Sequence, residues 1–594
     1  MRTGIPRATP YADQVGFGFA SFLLGDVESA SSRVPFSLYG RRKFCTLWAQ
    51  DDFKVNRKLT LTMDLRWEAT GPLTEKFGHW ANFEYTKMNT ALGIPGALEF
   101  AGNGSTSFMK NRDWKEFSPH VGVAFQLTPR SVLRASYGIF YSPLGLNFHN
   151  GVPYGFAPGY QGTNEWNRTS DFSPAFNWSD GYPDNFIPGT VDPDFIQHLM
   201  VRIDPNSLKA GYIQQWNAGV EFEVGRDMRL GIQYLGNKGS RLHSDQFEDN
   251  QPDWTAYNQL LASGHAWDWV SDDASAAAAG VPWRGYPTYA GMALAPFPQV
   301  VTNGSLLYVV GVPKGRSDYQ SMQISLTKHS SRGVSAEASY NLGRARSNAD
   351  NAFEQNAPWY FAFQNVADID KEAKTPAGID QKHVFKRYVS WDLPLGKGRA
   401  LLGNSGKGLN ALAGGWTLST VFHYSSGQPL GIISSYYWYW PGWGPMPGWS
   451  GQVYANVNQD GDFSRQFDSS QFDALNAAAA SNRYFDTSNI TDPAWGEFGS
   501  GPRALPQLRN FGAARENVGI LKNFPITEKM RVQFRMEFFN IFNRHEFYGP
   551  DMYPASSSFG NVTSVGGSSR TGQFGARLRR RAVLRRAQRH RRRT

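Results

Sequence analysis

The chain has 594 residues, with 60 Lys and Arg against 50 Asp and Glu, a formal charge of +10. Ten arginines and no acid lie between Arg577 and Thr594, so residues 1–576 are balanced at 50 charges of each sign, which leaves no basic body to bind nucleic acid. Aromatic residues make up 14%, charged residues only 19%, and apolar residues 41%, below the roughly 45–50% of ordinary globular domains. Cys45 is the only cysteine, which excludes an intramolecular disulfide and any cysteine-built zinc or iron–sulfur site. No basic segment followed by an apolar run opens the chain, and no stretch of about 18 apolar residues occurs, so neither a signal peptide nor a spanning helix is read. If the protein spans a membrane, only a closed β-barrel satisfies its backbone there.

The first strong periodicity is at residues 59–68. Leu59, Leu61, Met63, Leu65 and Trp67 alternate with Thr60, Thr62, Asp64, Arg66 and Glu68. Successive side chains of a strand point to opposite faces, so this strand has one greasy and one charged side. The pattern returns at Val121, Val123, Phe125 and Leu127, and again at Trp216, Ala218, Val220, Phe222 and Val224. It continues at Met322, Ile324 and Leu326, then from Val334 to Leu342, and near the end at Val532, Phe534, Met536 and Phe538. Helical spacing is confined to the Ala-rich stretches near residues 274 and 475.

Brief turns at VNRK (55–58), TPRS (128–131), GRD (225–227), HSSR (329–332) and PITE (525–528) join strands into hairpins. Long segments, approximately 70–118, 143–213, 237–317, 346–381 and 427–515, separate them. In an up-and-down sheet this alternation puts every short turn at one end and every long loop at the other. Outer-membrane barrels have that layout, with short periplasmic turns and long external loops. Trp67, Tyr141, Tyr234, Tyr340, Trp391 and Tyr424 end the apolar rows, as expected where strands cross a lipid–water boundary. The expected fold is all-β: a transmembrane antiparallel up-and-down barrel with about 14 recognisable strands.

In order along the chain, WAQDDFKVNRKLTLTMDLRWE (48–68), FSPHVGVAFQLTPRSVLRASYGIFYSP (117–143), YIQQWNAGVEFE (212–223), SDYQSMQISLTKHSSRGVSAEASYNLGRARS (317–347), GGWTLSTVFHYSSGQPL (414–430) and LKNFPITEKMRVQFRMEFFNIFNRHEF (521–547) resemble the Oar-like TonB-dependent receptors. That resemblance implies an outer-membrane barrel of about 22 strands, preceded by a carboxypeptidase-regulatory-like domain and a plug. It further implies ligand capture and transport in a Gram-negative-type bacterium, not catalysis. The partners it implies are outer-membrane lipid, the outer-membrane assembly machinery, a ligand the sequence does not name, and the TonB system where a plug and TonB box lie upstream. Residues 15–26 resemble a segment inside the family's barrel region, so a truncated receptor lacking the regulatory-like domain and plug is expected, with residues 1–578 as barrel. Phe574, Ala576 and Leu578 begin the barrel-closing strand, but the terminal aromatic residue of the family is replaced by arginines. Residues 579–594 are therefore read as a disordered or out-of-frame tail. The alternatives left open are a surface-exposed binding or adhesion barrel without active transport and a secreted all-β carbohydrate-active protein.

Two loop features could bind something. Asn456, Asn458, Asp460 and Asp462 carry oxygens at alternate positions around Gly461, as in a calcium loop, although Phe467 stands where the bidentate acid is expected. A structural calcium is the one cofactor this spacing suggests. Tyr436, Tyr437, Trp438, Tyr439, Trp440, Trp443 and Trp449 crowd one loop and could stack on sugars or apolar ligands. No HExxH, GxSxG elbow or His/Cys cluster is found, and no catalytic residue is assigned.

Overall fold

In a computed structural model, the described residues are 18–33, 39–72, 74–78, 80–101, 108, 111–142, 160–161, 163–168, 173–183, 190–196, 199–244, 247–248, 250–302, 306–331, 333–348, 375–432, 434, 453–494, 497–527 and 530–580. Thirteen of the strands form one antiparallel sheet, here β1 to β13: Phe44–Lys54, Leu59–Thr70, Phe117–Thr128, Ser131–Ser142, Gly211–Val224, Met228–Ser244, Val312–Ser331, Val334–Ser347, His383–Asp392, Trp416–Ser425, Ala513–Pro525, Met530–Phe539 and Thr571–Arg580. Each pairs with its sequence neighbour, so the order is simply β1 to β13. This is the all-β up-and-down wall expected from the alternation, with thirteen strands rather than about fourteen among the described residues.

Register confirms that the apolar rows share one face. Met63 stands opposite Val121, Val121 opposite Tyr137, and Tyr137 opposite Trp216. Farther along, Ile520 faces Met536, and Met536 faces Phe574. A one-residue slip anywhere would turn a whole row inward, which is why the pattern fixes the pairing so firmly. The opposite row is polar: Asp64 pairs with His120, Ser136 with Asn217, and Gln233 with Gln323.

Turns at residues 55–58, 129–130 and 225–227 link strands at one end as read from the sequence. The hairpins after Ser331 and after Pro525 turn at the same end, with His329–Ser331 still in the strand and residues 332, 528 and 529 outside the described residues. A sixth connection at that end, residues 393–415, is longer and carries a helix, Lys407–Ala413. The described parts of the connections 71–116, 143–210, 245–311, 348–382, 426–512 and 540–570 lie at the opposite end. Because thirteen is odd, β1 and β13 run in the same direction. They could meet only in a parallel ladder, and among the described residues each is an edge of the sheet.

Of the two Ala-rich stretches with helical spacing, one forms a helix and the other does not. Asp273–Ala279 is a helix, capped by Asp272 and ended by Gly280 in the left-handed conformation. The stretch around residue 475 is not: the Asp473 carboxylate accepts the Leu475 and Asn476 N–H groups and Asn482 closes the segment, so turns replace the helix. The last strand continues past Leu578 to Arg580, whose register partner is Met530. Within residues 15–26, Gly18–Leu24 forms a short helix followed by Asp26–Val27, which pairs with Phe176–Asn177 in a long loop.

Candidate functional site: external loops and polar wall

The buried apolar side chains lie mainly in the long connections, not in the sheet. Residues 81–100 form a hairpin whose Ala81, Phe83 and Leu98 pack with Met200, Phe297, Val300 and Leu307. A parallel pairing of Leu199–Ile203 with Leu306–Val310 joins two long connections, and the packing of the hairpin adds a third to this one body. Next to it the helices Trp254–Ala262 and Asp273–Ala279 bury Leu260, Val270 and Ala276. A second body, built from residues 426–512 and 540–570, packs Ile432, Phe463, Phe467, Phe485, Leu505 and Val562. Its rings meet edge to face, for example Phe467 with Phe547 at 5.0 Å and Tyr484 with Phe511 at 4.9 Å. The two bodies touch where Trp254 meets Phe498 at 4.8 Å.

Buried charges anchor the loops to the strand ends. Arg509 donates to the fully buried Asp380 carboxylate at 2.6 Å and to the carbonyls of Asp380 and Gly427. Glu516, buried at the external end of β11, accepts from Arg544 at 2.9 and 3.0 Å and from the Tyr424 hydroxyl at 2.8 Å. Just beyond the external end of β3, Glu116 is enclosed with one carboxylate oxygen unbonded. Burial, reinforced by the nearby Asp113 and Glu68, pushes its carboxyl up to about 7. Burial is also the largest single influence on Asp113 and works against its ionised form, but the bond with Arg241 at 2.8 Å, the Lys115 N–H and the positive charges of both residues together outweigh it and hold the carboxyl below the usual carboxylate range. Apart from Lys115, the hydrogen-bonded partners lie 28 or more residues apart in sequence, and no motif marks them.

The polar face of the sheet presents hydrogen-bonded side chains. His120 Nδ1 lies 2.7 Å from Asp64, with its ring 4.5 Å from Phe140. Asn217 donates to Ser136 at 2.5 Å, Gln233 to Gln323 at 2.6 Å, and Asn341 to the Tyr319 hydroxyl at 3.1 Å. Arg134 and Arg229 flank Glu221 at 4.0 and 3.9 Å. Such a wall suits a wet lumen, where these groups keep access to water. On the apolar face the exceptions are compensated: Arg387 lies 4.4 Å from the Phe422 ring and donates to Thr420.

Of the sequence-derived candidates, Asn456 starts a two-residue strand paired with Ile490–Thr491 and accepts from Ser500 N–H. The Asn458 side chain accepts the Asp460 N–H, and Asp462 accepts the N–H and hydroxyl of Ser464. These are turn-forming bonds of the loop itself, and among the described residues no group of three His, Cys, Asp or Glu could hold a metal. Tyr436, Tyr437, Trp438, Tyr439, Trp440, Trp443 and Trp449 lie outside the described residues. Phe574, Ala576 and Leu578 are on β13, opposite Met536, Phe534 and Val532. An aromatic group the sequence reading missed is Trp267, Trp269 and Tyr289, where both indoles lie within 6 Å of the exposed tyrosine ring.

A search of curated proteins finds no match. Solved structures similar to the chain include the ferric-catecholate import receptor Fiu of E. coli, at 9% identity over 91% of this chain and 45% of that one, TM-score 0.38. A ferric enterobactin receptor of Pseudomonas aeruginosa, PfeA, in complex with enterobactin, gives 10% identity, 91% and 45% coverage, and TM-score 0.39. The ferric preacinetobactin receptor BauA of Acinetobacter baumannii gives 11% identity, 92% and 44% coverage, and TM-score 0.36. The chain thus spans less than half the length of these receptors, and superpositions this loose bear on neither ligand nor mechanism. The family model described as an outer membrane beta barrel domain matches residues 3–573, nearly the whole chain, and the protein therefore belongs to that family of outer-membrane β-barrels.

Proposed function

We propose that the chain is the barrel and loop part of an Oar-like TonB-dependent receptor, which captures a ligand on its external loops and passes it along the polar wall. The observation that carries this reading is the pairing of two packed loop bodies at one end of the sheet with a hydrogen-bonded polar face below them. Compact loops packed by their own side chains are frequently functional, because a binding surface needs a fixed shape. The ordered sequence segments quoted above supply the TonB-dependent and Oar-like part of the proposal. In a whole receptor the TonB system would supply the energy through a plug, and this chain would supply capture and passage.

The test is growth or uptake in a cell making the receptor, with and without the TonB system. Uptake that stops without TonB supports transport. Undiminished surface binding with no TonB-dependent uptake would favour the adhesion reading, for which the exposed Trp267, Trp269 and Tyr289 cluster offers a contact surface.

A further inference from the structure

The connection at residues 393–415 is the only one at the short-turn end with a helix of its own among the described residues, and it faces a different solvent from the loops opposite. Its backbone is closely built. Leu401 N–H donates to the Pro394 carbonyl, Gly396 N–H to Leu401, and Gly398 N–H to Gly403, all at 2.9 Å. The Asn410 side chain accepts the Lys397 N–H at 2.7 Å and so joins this turn to the helix Lys407–Ala413. Gly396 has a φ of 108°, and a Cβ there would run into Asn410 and Gly414.

Despite this order, the segment turns its leucines outward. Leu401, Leu402, Leu409 and Leu412 are 56, 47, 50 and 74% exposed, and the helix buries none of its residues. Leu402 is held at a φ of 60°, a conformation that costs a bulky residue energy and persists only where its surroundings impose it. Lys397, Arg399 and Lys407 are also exposed, and no acid occurs from Leu393 to Gly415.

The place of attachment identifies the solvent. Trp416 and Lys522 are register partners on the apolar, lipid-facing row, followed by Leu418 and Ile520. The Trp416 indole donates to the Leu412 carbonyl at 2.8 Å, and Lys522 donates to Leu412 at 3.0 Å and to Gly414. Lys522 also lies 4.9 Å from the Trp416 ring and 4.8 Å from that of Phe524. The helix end is therefore fastened to the outside of the wall at its periplasmic rim, beside an aromatic residue of the kind that marks a membrane interface. Leucines that continue a lipid-facing row, flanked by cations and free of acids, have the composition of an interfacial anchor.

We propose that residues 397–413 bind the periplasmic leaflet of the outer membrane, with Leu401, Leu402, Leu409 and Leu412 entering the acyl boundary and Lys397, Arg399 and Lys407 holding anionic phospholipid headgroups. The proposal rests on the membrane placement of the wall and not on transport, so loss of the transport reading leaves it standing.

The experiment uses the full chain in vesicles of phosphatidylcholine and phosphatidylglycerol. In a Cys45→Ser background, Leu412→Cys carries a bimane label, and Leu475→Cys, fully exposed on the opposite side, serves as the water-facing control. Spin-labelled phospholipids should quench the label at residue 412 and spare that at 475, while aqueous iodide does the reverse. Substituting Lys397→Gln, Arg399→Gln and Lys407→Gln should lower the preference of the 412 site for phosphatidylglycerol by roughly fivefold per cation removed. Iodide quenching at 412 as free as at 475, or a lipid preference untouched by the three substitutions, would overturn the proposal. Lipid quenching at both sites would likewise overturn it, because residue 412 would then behave no differently from the water-facing control. Because all substituted side chains are exposed, heat-modifiable migration on gels serves as the check that each variant folds.

Discussion

The sheet and its external loops use the same apolar residues in opposite ways. In β2, β3, β12 and β13, Leu65, Val121, Phe534 and Phe574 are exposed, and their row is continuous from strand to strand. In the loops, Phe83 in the first body and Phe485, Leu505 and Leu508 in the second are closed off from any solvent, each packed within the core of its own body. The difference reflects two surroundings: lipid removes the need to bury an apolar side chain inside protein, whereas a loop in water folds only by making its own core. Stability is therefore divided. Backbone ladders and lipid hold the wall, and side-chain packing holds the loops.

The sharpest break of this contrast is Phe485→Ala, which opens a cavity in the second loop body and should cost about 3–5 kcal/mol there. Limited proteolysis should show residues 453–512 becoming cleavable while the heat-modifiable shift of the wall persists. Loss of both together would mean the loop body and the wall fold as one unit. On the wall, Val121→Arg places a charge on the lipid row and should cost about 2–4 kcal/mol if that site lies near the midplane. Gln323→Arg on the polar row should cost far less, as measured by urea-dependent folding into vesicles. Equal costs would mean the two faces have been assigned the wrong way round.

Glu116 extends the comparison to the rim between the two regions. Its folded carboxyl sits at about 7, above the ordinary 4.5, so the folded state prefers the protonated form. The associated stability is fully present below about 4.5 and is lost as pH rises from there through 7. Thermal midpoints measured from pH 5 to 8 should fall with rising pH, and Glu116→Gln should flatten that slope. A slope unchanged in the variant would place the titrating group elsewhere. The smallest effect expected is that of Asp253→Ala, which removes the side-chain cap on Thr255 and Ala256 N–H at the start of Trp254–Ala262. About 1 kcal/mol should be lost from the first loop body, read by hydrogen exchange in that helix.

How far these regions were legible differs for a physical reason. Strand alternation is a property of neighbouring residues, so the rows through Leu65, Val121 and Phe534, and the hairpin turns between them, could be read directly from the chain. The helix at Asp273–Ala279 was also legible because its cap and its terminating glycine are local. The stretch at residue 475 had similar alanines, but Asp473 and Asn482 take its backbone groups, and composition does not reveal that competition. Within the calcium-like loop the spacing of oxygens was visible, while their use as turn acceptors by Asp460 and Ser464 was not.

The sequence alone determined the two faces of the wall, its up-and-down order, and which end carries the long connections, because period and turn length act over a few residues. Tertiary structure alone decided that those connections form two packed bodies. It also decided that Arg509 closes on Asp380, 129 residues away, and that four leucines at residues 401–412 stay exposed in a segment bonded to Trp416 at the short-turn end of the wall. Such contacts join segments with no common periodicity. They depend on which surfaces the completed wall brings within reach, and on whether lipid or water lies beyond them.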